Sequence, residues 1–263
     1  MCGRYTLTAD QEALSAALGV PFLLADHPRP RFNLAPTQAA PVWTATGVRP
    51  LRWGLVPSWA DDASGAGRLI NARSETVATK PSFRDAFRTG RCLVPADGFY
   101  EWVLPGGGPG SENEGSGPSG PSGTRTPWWI HLPGRAVFTF AGIRAQWHPP
   151  GGGPELETFT LLTCEAAGEI RSLHHRMPVV VVPELRHAWF DGDVGQGSPA
   201  PRRSGPDSLL RSVVEAAVRA AEDFRAHPVS TRVNRPAHDD PSLVEPAPGE
   251  EGGPPPLQPS LFD

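Results

Sequence analysis

Eight short runs of strand-forming residues, separated by clusters of Gly, Pro and polar residues, constrain this chain more than any other feature. They are Pro41–Ala45, Val48–Trp53, Cys92–Pro95, Phe99–Val103, Trp128–Leu132, Ala136–Ile143, Thr158–Cys164 and Pro178–Val182. Helical signals are fewer. Thr8–Gly19 reads as a helix with Thr8 as cap, Gln11 completing a capping box and Gly19 as its stop. Glu184–Phe190 and Ser208–Arg225 read as two more, the second with Leu209, Val213, Val214, Ala217 and Val218 on one side. Many short strands with few helices predict a β-rich α+β domain, with sheets curled into a partly closed barrel and a few peripheral helices.

Composition sets the boundaries. With 29 Gly and 32 Pro among 263 residues, a good part of the chain is expected outside regular structure. Pro105–Thr126 is rich in Gly, Pro and Ser and falls between two strand runs, so residues 105–126 read as a flexible hairpin insertion. Pro149–Pro154 and Gly195–Pro206 are shorter loops of the same kind. One folded domain is expected over residues 1–235. A disordered, Pro-rich acidic tail is expected over residues 236–263.

That tail changes the reading of charge. The net charge is −4, and six acids with no base lie in Pro236–Asp263, which leaves the remainder at +2. Of the 24 basic residues only Lys80 is not Arg, and Arg suits bidentate phosphate contacts and stacking on bases. The longest clean apolar run, Val179–Val182, is far short of a membrane span, and no basic-then-apolar leader opens the chain, so a cytoplasmic protein is expected. The three cysteines, Cys2, Cys92 and Cys164, are widely spaced, which argues against a disulfide framework and a structural zinc site. Neither metal nor cofactor is expected.

Four polar clusters place reactive groups among core-forming residues: Cys2-Gly3-Arg4, Ile70–Glu75, Asp97–Trp102 and Leu173–Pro178. Cys2 follows Met1 directly. Loss of Met1 would leave an α-amine and a thiol on neighbouring carbons, with ordinary pKa values of about 7.7–8.0 and 8.5. Such a pair traps aldehydes: the amine forms a Schiff base and the thiol closes a five-membered thiazolidine. Taken alone, Cys2 is an ordinary terminal residue. Glu101 lies in an aromatic strand, and if it shares a face with Phe99 its carboxyl is set in apolar surroundings suited to acid–base work. The alternative is an alternating strand with Glu101 in water. His174 and His175 sit at a strand mouth, where a histidine can shuttle protons or simply be solvated. Asn71 can hold an amine through its side-chain oxygen, or merely shape a turn. Arg4 and Arg73 can hold phosphates, or be ordinary surface charge.

The ordered set resembles the SRAP family, the SOS-response-associated peptidases that shield abasic sites. The resemblance rests on Met1-Cys2-Gly3-Arg4, Ile70-Asn71-Ala72-Arg73-Ser74-Glu75-Thr76, Phe99-Tyr100-Glu101-Trp102 and His174-x-Arg176-Met177-Pro178. Phe32–Pro36, Trp53–Trp59 and His227–Asn234 support it, and the whole covers nearly all of Cys2–Asn234. It implies covalent capture of the abasic-site aldehyde in single-stranded DNA by Cys2 after removal of Met1, self-removal being one route. Asn71 would orient the amine, and Glu101 and His174 would share the proton movements. His174 is preferred to His175 because the family's histidine lies two positions before the Arg. Arg4 and Arg73 would grip phosphates, Glu75 would fix Arg73, and Trp59 would stack on a base, the alternative being a core tryptophan.

Gln258-Pro259-Ser260-Leu261-Phe262-Asp263 resembles the peptide that docks on the bacterial sliding clamp, with Gln258 as polar anchor and Leu261 and Phe262 for the pocket. It would place a monomer at replication forks on the nucleoid. Two other functions fit some of the same residues: an N-terminal-cysteine amidohydrolase or peptidase that turns over, and a module that binds single-stranded DNA without covalent attachment.

Overall fold

The computed structural model describes residues 2–21, 29–104, 125–191 and 206–248. Twelve strands are present among these residues. In chain order they are β1 (Tyr5–Leu7), β2 (Arg31–Leu34), β3 (Ala39–Thr44), β4 (Gly47–Trp53), β5 (Asn71–Arg73) and β6 (Arg91–Ala96). There follow β7 (Gly98–Val103), β8 (Thr126–His131), β9 (Phe138–Trp147), β10 (Leu156–Glu165), β11 (Arg176–Pro178) and β12 (Arg225–Pro228). The helices are α1 (Gln11–Leu18), α2 (Arg84–Thr89), α3 (Ile170–Leu173), α4 (Arg186–Asp191) and α5 (Pro206–Ala220).

The expected β-rich α+β architecture is present, and its barrel is closed. β10 pairs β4, then β3, β6 and β9 follow in turn, and β9 returns to β10, making a ring of five strands. A second sheet has the order β12-β8-β7-β1-β2. Phe99, Phe140, Tyr5, Trp53 and Phe159 fill the space between them in edge-on and stacked contacts. β10 serves two structures at once. Its first half closes the ring against β9. Its second half leaves the ring and pairs β5 at Leu161–Thr163 and β11 at Thr163–Glu165. This bifurcation carries Asn71 and the residues around His174 toward the second sheet.

Two glycines are sterically required. Gly54 ends β4 at φ 120°, where a Cβ would stand 2.6 Å from the Ala66 carbonyl oxygen. At Gly98 a Cβ would lie 2.2 Å from the Trp129 indole nitrogen, so the indole can cross β7 only because that position is bare.

Local details differ from the sequence expectations. Asp10, not Thr8, caps α1 by accepting from the Ala13 amide at 2.8 Å, because Thr8 is drawn to Asp97; Gly19 ends the helix in the left-handed region as expected. α5 stops at Ala220, and Arg225 already belongs to β12. The last expected strand, Pro178–Val182, begins and ends earlier, at Arg176–Pro178, with Val180 making a single bridge to Phe140. The three-residue strands β1 and β5 carry no periodic signal.

The folded segment continues past the expected boundary at Arg235. Asp239 accepts the Phe32 and Asn33 amides and pairs with Arg31 at 2.5 Å, while Leu243 and Val244 are buried against Tyr100 and Trp129. Apolar burial and a carboxylate with three donors hold residues 236–248 despite their Pro-rich, acidic composition. The expected insertion at 105–126 lies outside the described residues except for its last two positions, and the tail beyond Pro248 lies outside them entirely.

Candidate active site

Cys2 is delivered by β1. Tyr5 pairs with Phe99 and Thr6 with Gly98 on β7, and the Tyr100 amide donates to the Arg4 carbonyl at 3.0 Å, so this register runs Cys2 alongside Glu101. Asp97 fixes the other end of β1. Its buried carboxylate accepts from the hydroxyls of Thr6 and Thr8 and from the amides of Thr8 and Ala9, at 2.5–3.2 Å. Cys2 is 0% exposed. Burial, and then the Glu101 charge, raise its thiol far above the ordinary range, so the sulfur is a neutral thiol.

Asn71 reaches Cys2 from the other sheet. It opens β5, where the Ile70 carbonyl before it accepts from the Trp53 indole at 3.0 Å. Its Nδ2 donates to the Cys2 carbonyl at 2.8 Å, and its Oδ1 is buried with no partner. Glu101 is 2% exposed on β7, with Phe99 two residues before it on the same face. That resolves the two sequence readings in favour of a buried carboxylate. Its charge acts on Cys2, His174 and His175.

His174 caps the C-terminus of α3 and is partly buried, whereas His175 is exposed and stacks on it at 4.4 Å. His174 Nδ1 faces the Arg176 backbone, 2.8 Å from its amide nitrogen and 3.0 Å from its carbonyl oxygen, so the ring is oriented by Arg176 in either tautomer. Burial lowers the His174 pKa, with Glu101 opposing. Cys2, Asn71, Glu101 and His174, from four separate elements, are thus brought into one buried site. Among the described residues no three His, Cys, Asp or Glu side chains group so as to hold a metal ion.

The arginines divide. Arg73 is exposed at the end of β5, and its charge is felt at His175. Arg4 is different: 8% exposed, its guanidinium donates to Asn33 Oδ1 and the Val233 carbonyl, both at 2.8 Å, and lies over the Trp102 ring. The phosphate grip expected of it meets a side chain already committed to joining the chain's two ends. Glu75 does not fix Arg73; both its oxygens take Arg176, at 2.6 and 2.9 Å, and Arg176 also holds the Thr163 carbonyl at 2.7 Å. Arg176 is the cation at the site that sequence reasoning omitted, although it lies within the His174-x-Arg176 motif. Trp59 is 61% exposed, so it is not a core residue. Its turn is anchored where the Trp147 indole donates to the Ala60 carbonyl at 2.7 Å. Gln258, Leu261 and Phe262 lie outside the described residues.

Fold and site together define a β-barrel protein whose candidate reactive group is the second residue of the chain. The profile of the SOS response associated peptidase (SRAP) family matches residues 1–236, and the chain belongs to that family. It is 33% identical over 250 residues to the abasic site processing protein YoqW of Bacillus subtilis, covering 93% of this chain and 99% of that one. It is 32% identical to the abasic site processing protein HMCES of Gallus gallus, covering 83% of this chain and 66% of that one. Among solved structures, a Bacteroides thetaiotaomicron protein superposes with a TM-score of 0.67 at 22% identity, covering 94% of this chain and all of that one. A phage-related protein of Bordetella bronchiseptica gives 0.59 at 27% identity, over 88% and 95% of the two chains. No helix among the described residues is long and apolar enough to cross a membrane.

Proposed function

We propose that this protein processes abasic sites in single-stranded DNA by covalent capture on Cys2, once Met1 has been removed. The observation that carries the reading is Asn71. Its amide grips the Cys2 carbonyl while its oxygen is left buried and unpaired beside the same residue. An unmet buried acceptor costs about 1–3 kcal/mol, and an α-amine on Cys2 is the donor that would relieve it. The names of the relatives support the substrate class.

The chemistry balances within the site. The Cys2 amine adds to the sugar aldehyde and loses water to give an imine. The thiol then adds across the carbon–nitrogen double bond: the C–S bond forms, and the thiol proton ends on nitrogen. Because burial keeps Cys2 protonated, that proton must leave as sulfur attacks. Glu101 is the neighbouring base, and His174, which burial favours in its neutral form, supplies or accepts protons during ring opening and dehydration. Release of Met1 by the same groups is a limited peptidase step. Arg73 and Arg176 take flanking phosphates, and Trp59 stacks on a base. The tail peptide ending Leu261-Phe262-Asp263 docks on a replication clamp, bringing the site to forks; deleting those three residues should abolish clamp binding and leave crosslinking intact.

The test is a single-stranded oligonucleotide carrying one abasic site. A denaturing gel should show an adduct that Cys2→Ser prevents. Protein with a verified Cys2 N-terminus that gives no adduct would overturn the reading, and turnover of an amide substrate with Cys2 released would indicate the hydrolase instead.

A further inference from the structure

A row of exposed cations leaves the site along the segment between β5 and β6. After Arg73 the chain runs through successive turns: the Thr76 amide donates to the Arg73 carbonyl, Lys80 to Thr76 and Arg84 to Lys80, and α2 then begins at Arg84 and runs to Thr89. Arg84 and Arg88 are four residues apart on α2, the interval at which helical side chains stand about 5–6 Å apart, and Arg73, Thr76 and Lys80 precede them on the turns, Lys80 with its ammonium 5.9 Å from the Phe83 ring centre. All five are exposed, while Val77, Phe83, Ala86 and Phe87 of the same stretch are buried in the core. Two acids lie within this stretch. Glu75 is taken by Arg176, and Asp85 reaches Arg84 and Arg88 only at 3.8 and 3.6 Å through solvated side chains. Such exposed pairs are weak, so they leave the row available to a stronger anion.

We propose that Lys80, Arg84 and Arg88 form a phosphate track along which single-stranded DNA continues beyond the lesion, starting at Arg73. The inference rests on the single-stranded DNA reading above and extends it from the lesion to the flanking strand. Exposed point charges repeated along one stretch of chain suit a repeating polyanion, and they contact it without reading bases. The track therefore strengthens binding equally for any flanking sequence, and only when the strand is long enough to reach it.

The test compares two abasic-site oligonucleotides: one with a single nucleotide on each side of the lesion, one with about ten. Reversible binding is measured across a salt series with Met1-processed full-length protein carrying Cys2→Ser, with and without Lys80→Gln/Arg84→Gln/Arg88→Gln. Each single-strand phosphate contact contributes about −0.7 to the slope of log affinity against log salt. The triple variant should therefore lose about 2 from the slope with the long strand and be unchanged with the short one. Equal slopes on the long strand would overturn the track. Asp85→Asn, which removes the competing acid, should tighten long-strand binding; no tightening would count against the track even if the triple variant fails to fold. Adduct formation by the protein with Cys2 intact is read separately. If the aldehyde chemistry is wrong, adducts vanish for both oligonucleotides while the slope difference stays.

Discussion

Asn71 and Cys2 are joined by a 2.8 Å hydrogen bond from a side-chain amide to a backbone carbonyl, across 69 residues of sequence and between two sheets. The bond holds the residue that would react without touching its thiol or amine. Asn71→Ala removes the grip and the waiting acceptor together. Adduct formation should slow about 5- to 150-fold, the kinetic equivalent of roughly 1–3 kcal/mol. Single-turnover adduct kinetics on a denaturing gel measure this, and an unchanged rate in a folded variant would remove Asn71 from the chemistry.

Arg4 joins the chain's two ends, and its loss should appear as instability. Arg4→Ala leaves Asn33 Oδ1 without its donor in a buried setting and takes one of two donors from the Val233 carbonyl, which keeps Asn33 Nδ2 at 3.1 Å. At about 1–3 kcal/mol for the unmet group and about 1 kcal/mol for the lost bond to Val233, roughly 3 kcal/mol should be lost. For a chain of this size that lowers Tm by about 6–12 °C. Thermal unfolding checks it. An unchanged Tm with a shallower salt dependence of DNA binding would instead return Arg4 to the phosphate grip expected from sequence.

Truncation tests the extended domain boundary. A chain ending at Pro248 should unfold like the full chain. One ending at Arg235 loses the burial of Leu243 and Val244 and the Asp239 carboxylate that Arg31, Phe32 and Asn33 share. Burying two such side chains is worth about 3–6 kcal/mol, so the shorter chain should melt well below the longer one. Equal melting temperatures would put the boundary back at Arg235.

What the sequence revealed and concealed follows from where each residue's partner lies. Glu101 was legible because its neighbours Phe99, Tyr100 and Trp102 state the apolar setting locally. The eight strand runs were legible because their patterns are local, and closing them into a ring needed only pairing. The structural part that Arg4 plays was not legible because its partners are Asn33 and, 229 residues away, Val233. Asp239 was hidden for the same reason: Arg31 lies 208 residues before it. β1 and β5, three residues each, are strands because β7 and β10 pair with them, and no periodicity can announce that.

Acid should destabilise the fold before its carboxylates titrate. His174, His175 and His227 are held below their ordinary 6.5, in each case chiefly by burial. The unfolded chain therefore binds protons more readily than the folded one. The stability these groups contribute is complete above about pH 6.5 and is lost as pH falls through their folded values. Each lost proton equivalent changes stability by at most about 1.4 kcal/mol per pH unit. Tm should decline between pH 6.5 and 5, and His227→Gln should flatten that decline. A Tm constant over this range would contradict the burial of His174 and His227. The loss tied to Glu75, which Arg176 holds below its ordinary 4.5, belongs to lower pH.

Trp59 presents the opposite case to Arg4, an aromatic side chain with little to do for the fold. At 61% exposure it is the most exposed large apolar side chain among the described residues, on a turn that Trp147 anchors through Ala60. Truncating it removes little buried surface, so Trp59→Ala should leave Tm within about 1 °C, as surface changes of under 0.5 kcal/mol do. If the indole stacks on a base, reversible affinity for an abasic-site strand should fall by about 1–3 kcal/mol, roughly 5- to 150-fold. Trp59→Phe, which keeps a stacking face, should recover much of that loss. Binding equally tight in all three proteins would show that the exposed indole serves something other than the strand.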